Sequence, residues 1–476
     1  GNESVGPIFY LTARGTTRTA AENALAILRD TEPELHLRSV TLTAKDKICL
    51  CETRECTPEA CPYANGYYAR IKGALWDVLD VPCLTAETLQ EYAERHMVCP
   101  FELGLDSSLW SDVIIGDYNY LFDPVVHLVR FFESAGDYIF LVDEAHNLPG
   151  RAREMHSAAL TKTSFYEAKK LLGKGKSSLK NALTKVNDVF IEWRHRAEEE
   201  TAARDGRFGK TFFLKERSEE FDHLLNRLCE PLEAWLDDHR EPDETHTALL
   251  QLYFDVRAWL RVADTFDDHF VLQITASGSE VRAAQLCLDP SAFLADSFAL
   301  GRAAVLFSAT LAPASYYKDL CGVPEARAVA LRSPFPAGNQ GLFCIGNVST
   351  RYKDRDASLA IVEESLATMV RARCGNYLAF FPSYAYMEQA YAQFKEHCPE
   401  INCIKQENAM DEQQKAAFLA QFVPGPSQPL LGFAVMGGVF GEGVDLTGDR
   451  LIGVGIVGPG LPQVGPRQEQ LRDYFE

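Results

Sequence analysis

Short apolar runs alternate with amphipathic segments along most of this chain, and this alternation restricts the fold more than any other feature. Runs of about four to eight apolar, β-branched or aromatic residues, such as "PIFYLTAR" and "YLAFFPS", precede segments with helical periodicity. This order is typical of a parallel sheet with helices on its faces. The other predicted strands are "SVTLTA", "DVIIGDY", "YIFLV", "AAVLFSAT", "GLFCIG", "LLGFAVMGG" and "RLIGVGIVG".

The stretch between about residues 151 and 280 has a different character. It contains long charged amphipathic segments such as "FDHLLNRLCEPLEAWLDDH", which predict a helical insertion within the α/β part. One segment, "TKTSFYEAKKLLGKGKSSLKNALTKV", holds seven lysines against the single acid Glu167. A solvated helix face is the ordinary explanation of such a run. A surface that contacts phosphate groups is the alternative.

Length and charge limit the class of protein. With 476 residues, 46% of them hydrophobic, the chain can fill the cores of two to four domains. The net charge of −20 argues against a protein that coats nucleic acid by bulk electrostatics, although it leaves room for a local basic groove. No apolar run approaches the roughly 18 to 20 residues of a membrane span, and the start "GNESVGPIFY" lacks a signal-peptide pattern. The sequence therefore predicts a cytoplasmic protein.

Two carboxylates and a histidine follow one predicted strand directly, in "YIFLVDEAHNLPG". A carboxylate at a strand tip can hold Mg²⁺ while its neighbour polarises an attacking water. Asp143 and Glu144 are in the order that such nucleotide hydrolysis requires. A surface turn is the alternative, because acidic residues often follow strands.

Six of the thirteen cysteines lie between Cys49 and Cys99. Four of them, separated by six, four and thirty-seven residues, form a candidate ligand set for a [4Fe–4S] cluster: Cys49, Cys56, Cys61 and Cys99. A structural zinc site is the main alternative, although zinc ribbons favour short paired spacings at both ends. A disulfide framework does not suit a cytoplasmic chain of this size. Cys51 can replace Cys49 as the first ligand.

At Asp-Glu-Ala-His, residues 143–146, the sequence resembles the superfamily 2 helicases with a DEAH box, in particular the XPD/DinG-like iron–sulfur DNA helicases. "FYLTARGTTRTAAENAL" is similar to their first DNA-contacting motif, with Thr12 and Arg14 at the strand end. "VLFSATLAP" is similar to the motif that couples hydrolysis to movement, with Ser308, Ala309 and Thr310. "FFPSYAYME" resembles the start of the second motor domain, and "GGVFGEGVDLTGDRL" the late motif with Gly443 and Asp445 near nucleotide and DNA.

The resemblance implies an α/β fold with two RecA-like parallel-sheet motor domains, the first carrying an iron–sulfur insertion and a helical arch. The expected first domain occupies 1–44, 106–155 and 281–318, with the cluster insertion at 45–105, the arch at 156–280 and the second domain at 319–476. The cofactors implied are ATP with Mg²⁺ and a [4Fe–4S] cluster. The expected partners are single-stranded and forked DNA. The chain is expected to be a monomer that does not associate with a membrane.

The resemblance also assigns roles to individual residues. Asp143 is expected to hold Mg²⁺, Glu144 to act as the base towards water, and His146 to link the two motor domains. Cys49 is preferred to Cys51 as a cluster ligand because it follows the basic "KDKI" in the family-like position. Four lysines of the arch are expected to contact DNA: Lys169, Lys170, Lys174 and Lys176. The implied activity is ATP-dependent movement 5′ to 3′ on single-stranded DNA, with duplex unwinding in repair or replication.

No segment of the chain has the phosphate-binding pattern G-x-x-x-x-G-K-[ST]. In the family this loop precedes the Thr12 motif, and a final motif with arginines follows the region of "RQEQLRDYFE". We therefore expect a fragment of a longer protein, and we expect these 476 residues alone to hydrolyse ATP poorly. Two alternatives remain open: a non-motor DNA-binding protein on the same scaffold, and a zinc-stabilised RNA helicase.

Overall fold

A computed structural model describes residues 6–13, 15–175, 177–203, 209–241, 243–441, 444–461 and 465–476. Its strands are β1 Ile8–Thr12, β2 Ser39–Thr41, β3 Cys83–Leu84, β4 Val113–Asp117, β5 Ile139–Asp143, β6 Ala158–Thr161, β7 Lys210–Leu214, β8 Phe270–Ser277, β9 Glu280–Cys287, β10 Ala303–Phe307, β11 Asn376–Phe381, β12 Asn402–Lys405, β13 Leu430–Val435 and β14 Gly453–Ile456.

The helices occupy most of the chain between these strands. They are α1 Gly15–Thr31, α2 Lys45–Ile48, α3 Tyr67–Val78, α4 Ala86–His96, α5 Pro100–Ser107, α6 Asn119–Phe122, α7 Val129–Phe132, α8 Leu148–Met155, α9 Lys162–Leu171, α10 Ser178–Ala203, α11 Glu219–Asp238, α12 Glu244–Thr265, α13 Ser291–Ala299, α14 Ala314–Leu320, α15 Arg355–Ala372, α16 Tyr384–His397, α17 Glu412–Ala420 and α18 Pro466–Phe475. None of the helices in the described ranges is long and apolar enough to cross a membrane.

The chain divides into two compact units, residues 1–328 with 465–476 and residues 329–464. The first unit contains a six-stranded sheet in the order β10-β5-β1-β4-β2-β3. All of its strand pairs are parallel, as the alternation of apolar runs and helical segments predicts. Its core is rich in aromatic rings around Phe9, which packs against Phe131, Phe132 and Phe140.

The second unit contains a four-stranded parallel sheet in the order β12-β13-β11-β14. Its core lies around Phe381 and Phe433, whose ring centroids are 5.8 Å apart. The helix that follows β11 begins at a proper N-cap, because the Ser383 side chain accepts a hydrogen bond from the Tyr386 backbone N–H. The predicted strand "GLFCIG" is absent: residues 341–346 are irregular, and Leu342 and Phe343 are exposed.

The block predicted as helical also contains an antiparallel sheet, in the order β6-β9-β8-β7. Helices α9 to α12 pack on it around a core that includes Phe190, Phe221 and Trp259. The β8–β9 hairpin turns through Gly278 and Ser279, and Gly278 has φ +59°. A two-residue Gly-Ser turn between apolar runs is a hairpin signal, so this sheet was detectable in the sequence.

Among the described charged residues of this insertion, Asp222 is the most deeply buried, being only 6% exposed. Its Oδ1 accepts a hydrogen bond of 2.8 Å from the Trp259 indole N–H, while its Oδ2 is buried without a partner. Burial raises the pKa of Asp222 despite the hydrogen bond from Trp259. The folded chain therefore holds this proton more tightly than the unfolded chain does.

We expect the stability of the protein relative to its Asp222→Asn variant to fall as pH rises above the ordinary Asp pKa of about 3.9. In that range the unfolded state releases the Asp222 proton first, so ionisation favours unfolding. Urea unfolding of both proteins at several pH values from acid to neutral measures the difference. Asp238→Asn, on the exposed end of the same helix, is the matched control and should show no such trend. A difference that does not vary with pH would contradict the prediction.

Candidate functional site

The carboxyl ends of the parallel strands of the six-stranded sheet lie along one edge. The strand register pairs Thr12 with Asp117 and Asp143 with Phe307. Residues that follow these strands therefore meet at the same edge, where open α/β sheets hold ligands. Ser308, directly after β10, is one of them.

Asp143 is fixed by three hydrogen bonds. The Tyr10 hydroxyl donates to its Oδ2 at 2.8 Å, and the Glu144 backbone N–H donates to its Oδ1 at 2.8 Å. The Tyr118 hydroxyl donates to its backbone carbonyl. Burial, followed by the hydrogen bond to Asp143, raises the pKa of Tyr10 above its ordinary value, so Tyr10 is a neutral donor.

Glu144 turns the chain sharply at the end of β5. Its φ of +49° lies in the left-handed region, which side chains rarely adopt. Its Oε2 accepts a hydrogen bond of 3.0 Å from the Ser308 hydroxyl and lies 3.3 Å from His146 Nδ1. His146 Nδ1 is also 2.8 Å from Ser308 Oγ. Glu144, His146 and Ser308 thus form one connected group.

Through this group, the structure brings the Asp-Glu-Ala-His motif and the Ser-Ala-Thr motif of the first domain together. Ser308 accepts a hydrogen bond of 3.3 Å from the Thr310 backbone N–H, which extends the connection along the Ser-Ala-Thr motif. Thr12 is fully buried, and Arg14 lies outside the described residues. The DNA contacts predicted for these two residues stay predictions.

The same edge holds a cluster that the sequence analysis did not single out. Arg18 and Arg151 each place a guanidinium nitrogen 4.0 Å from the Asp117 carboxylate. Arg151 also donates to the Asn119 side-chain oxygen at 3.3 Å. Asp117 is the last residue of β4 and lies near the end of the predicted strand "DVIIGDY", so its place at the edge was predictable. Its two arginine partners come from distant helices.

In the second unit, Asp445 is exposed, and Gly443 lies outside the described residues. Gln406, which is fully buried after β12, contacts the end of β13, the strand that precedes the loop before these residues. Its side chain donates to the Tyr384 hydroxyl at 2.7 Å and accepts from the Val435 backbone N–H at 3.0 Å. A single glutamine after a strand carries no recognisable pattern, so the sequence did not indicate this supporting role.

The cysteine-rich segment brings some of its thiols close together. Cys51 Sγ and Cys61 Sγ are 3.9 Å apart. Burial and then the contact with Cys61 raise the pKa of Cys51 to about 11, with Cys49 contributing as a further neighbour. Cys99 precedes α5, and Cys56 is exposed. Within the described ranges, no three His, Cys, Asp or Glu side chains are arranged to hold a metal ion.

The predicted lysine surface lies at the end of α9 and in the turn after it. Lys170 and Lys174 are exposed, Lys169 is half-buried, and Lys176 lies outside the described residues. The Lys180 ammonium is used locally, because it donates to the backbone carbonyls of Gly173 and Gly175.

Comparisons with known proteins agree with this arrangement. The DEAD_2 family model matches residues 31–165, and the helicase C-terminal domain model matches residues 366–476. The chain is 22% identical to the ATP-dependent DNA helicase CHL1 of Coccidioides immitis, over 79% of this chain and 49% of that protein. It is 24% identical to the general transcription and DNA repair factor IIH helicase subunit XPD of Schizosaccharomyces pombe, over 65% of this chain and 49% of that protein.

A solved structure titled XPD helicase covers 98% of this chain with a TM-score of 0.57 at 17% identity, and the match spans 80% of that structure. The chain has two parallel sheets, and a strand of the first ends in acidic residues. This arrangement and the likeness to the XPD structures define an α/β protein with RecA-like domains. The chain is similar to the XPD/DinG-like helicases of superfamily 2, as both matched domain models and these relatives support. It spans about half the length of the two curated relatives named above.

Proposed function

We propose that the whole protein is an ATP-dependent DNA helicase that moves 5′ to 3′ on single-stranded DNA in repair or replication. The observation that carries this proposal is the hydrogen-bonded group of Glu144, His146 and Ser308 beside Asp143. Glu144 and His146 both contact the Ser308 hydroxyl, so a change at the hydrolysis site can be transmitted to the Ser-Ala-Thr motif. The direction and the DNA substrate rest on the family resemblance.

The residues present suit a divalent cation at Asp143. An ionised carboxylate offers about four lone-pair positions, and the described hydrogen bonds from Tyr10 and Glu144 occupy two of them. Oxygen donors of this kind are those that Mg²⁺ prefers. When bound, Mg²⁺ supplies charge neutralisation at the phosphates.

The protein groups then have distinct tasks in hydrolysis. Asp143 orients the cation site, because its two oxygens are held in one rotamer. Glu144 accepts the proton of the attacking water, and Ser308 keeps the Glu144 carboxylate aimed along the sheet edge. We infer that His146 relays the state of this group towards the second motor domain.

We propose that the whole protein also contains the phosphate-binding loop and the arginines of the final motif. Among the described strands, β10 pairs with β5 alone, and Ala303, Ala304 and Val305 on it are exposed. An apolar edge strand of this kind suits pairing with a further parallel strand. We propose that these 476 residues alone hydrolyse ATP poorly, because they contain no phosphate-binding loop.

We also propose a [4Fe–4S] cluster in the cysteine-rich segment, with Cys49, Cys56, Cys61 and Cys99 as its ligands. The donors fit in number and kind, since four thiolates hold such clusters. The sulfur recorded 3.9 Å from Cys61 Sγ is that of Cys51, so the observed proximity supports a cluster of thiols in this segment and does not select Cys49. No step of the reaction depends on the cluster, whose role here is to stabilise a small insertion beside the motor domain.

The lysine surface makes a separate prediction about single-stranded DNA. If Lys169, Lys170 and Lys174 each contact a phosphate, their combined replacement by Gln should weaken binding and reduce the steepness of its salt dependence by about 2, at about 0.7 per contact. Fluorescence titrations at several salt concentrations measure the slope. Lys215→Gln, an exposed lysine outside the run, is the control. An unchanged affinity and slope would show that the run is a solvated helix face.

The proposed activity is tested by strand separation with the full-length protein and ATP. The substrates are a DNA duplex with a 5′ single-stranded tail, the same duplex with a 3′ tail, and an RNA duplex with a 5′ tail. The proposal predicts unwinding of the 5′-tailed DNA only. Unwinding of the RNA alone would support an RNA helicase and overturn the assignment to DNA.

A further inference from the structure

We propose that Tyr10 is a positioning residue of the hydrolysis site: its hydroxyl holds the Asp143 carboxylate in the orientation that presents its remaining lone pairs to a divalent cation. This inference rests on the proposed function, because it concerns the cation that accompanies the nucleotide. Nothing in the sequence pattern assigns Tyr10 such a role, since it lies within an apolar strand two residues before the strand ends.

The sheet register explains how Tyr10 reaches Asp143. Tyr10 on β1 is paired with Leu141 on β5, and Asp143 lies two residues further along the same strand. Because side chains alternate between faces with a period of two, Asp143 and Leu141 are on the same face of the sheet as Tyr10. Such diagonal neighbours are within reach of an aromatic side chain. The resulting hydrogen bond, from the Tyr10 hydroxyl to Asp143 Oδ2, is 2.8 Å long.

The tyrosine ring is itself held in place. Its centroid is 5.9 Å from that of Phe307, in an edge-to-face arrangement at 68°. Phe307 is paired with Asp143 in the register of β10 and β5, so the ring is supported from the strand on the other side of Asp143. The Tyr10 hydroxyl therefore has a defined position, because its ring is held by β1, on which it lies, and by Phe307 on β10.

The second contact of the carboxylate does not make Tyr10 redundant. The Glu144 backbone N–H binds Oδ1, whereas Tyr10 binds Oδ2, so together they restrict rotation of the carboxylate plane. Removal of the Tyr10 hydroxyl leaves the carboxylate with one of these two hydrogen bonds, about which its plane can turn. Hydrogen-bond partners of metal-binding side chains typically alter metal affinity by about 10- to 100-fold when they are removed.

The test uses the full-length protein with Mn²⁺ as the cation and a non-hydrolysable ATP analogue. Electron paramagnetic resonance measures the free Mn²⁺, and hence its dissociation constant, without any need for catalysis. Tyr10→Phe should weaken Mn²⁺ binding by about 10-fold, the lower end of the range for such partners. It should also raise the Mg²⁺ concentration needed for half-maximal hydrolysis by a similar factor.

The matched control is Tyr138→Phe. Tyr138 also donates its hydroxyl within the first unit, to the Phe131 backbone carbonyl at 2.9 Å, but it does not contact Asp143 in the described structure. The Tyr138→Phe variant should bind Mn²⁺ as the wild-type protein does. Unchanged Mn²⁺ binding by Tyr10→Phe would overturn this inference and leave the proposed function standing. A wild-type protein that binds no Mn²⁺ with the nucleotide would refute both.

Discussion

Replacement of Glu144 by Gln should reduce ATP hydrolysis by the full-length protein by about 10²- to 10⁴-fold, the usual contribution of a general base. Gln keeps the size of Glu and an oxygen that can accept the 3.0 Å hydrogen bond from Ser308. It cannot accept a proton from water. The variant should therefore bind the nucleotide and DNA normally while hydrolysis, measured as phosphate release, nearly stops.

The control for this change is Glu154→Gln. Glu154 is an exposed residue on α8 whose carboxylate lies 3.3 Å from an Arg151 nitrogen, a surface ion pair of small energetic value. The Glu154→Gln variant should hydrolyse ATP at the wild-type rate. Hydrolysis by Glu144→Gln within a few fold of wild type would show that another group is the base.

Replacement of a cluster ligand by Ser should eliminate bound iron. The full-length protein is expected to contain about four iron atoms per chain, with acid-labile sulfide, and Cys56→Ser, Cys61→Ser or Cys99→Ser should each bring the iron content close to zero. A serine hydroxyl remains protonated at neutral pH and does not replace a thiolate as a ligand. Metal analysis and visible absorbance measure the effect.

Two further variants define the ligand set. Cys83→Ser changes a thiol on the edge strand β3, outside the proposed set, and should leave the iron content unchanged. Cys49→Ser and Cys51→Ser separate the two candidates for the first ligand: the preferred assignment predicts loss of iron in the former only. Zinc in place of iron in the wild-type protein would contradict the cluster and favour a zinc-stabilised insertion.

Most strands of both parallel sheets could be predicted because each is an apolar run that ends in small, polar or glycine residues. The short strands β3 and β12 were not predicted, because two to four residues give too little pattern. The same pattern placed Asp143 and Ser308 at strand ends, and the register of β5 and β10 confirms that these ends are adjacent. The segment "GLFCIG" has the composition of a strand but is not one in the described structure. Composition reports the suitability of a segment for a sheet, whereas a strand also requires a neighbour to pair with.

The hydrogen bonds that organise the candidate site could not be predicted. The bond between Tyr10 and Asp143 joins residues 133 positions apart, and the bond between Glu144 and Ser308 joins residues 164 positions apart. Such contacts depend on the strand order β10-β5-β1, which the sequence alone left open. The antiparallel sheet of the insertion was missed for a different reason: its long charged helices dominated the pattern and obscured the short hairpin turn.

The proposed function requires this chain to be part of a DNA-driven ATP hydrolase. The most direct test is the rate of ATP hydrolysis by the full-length protein with and without single-stranded DNA, under conditions where DNA binding is confirmed. We expect single-stranded DNA to raise the rate severalfold and Glu144→Gln to abolish the increase. Binding of single-stranded DNA without any hydrolysis would contradict the proposed function and would identify a DNA-binding protein that has kept the helicase scaffold without its motor activity.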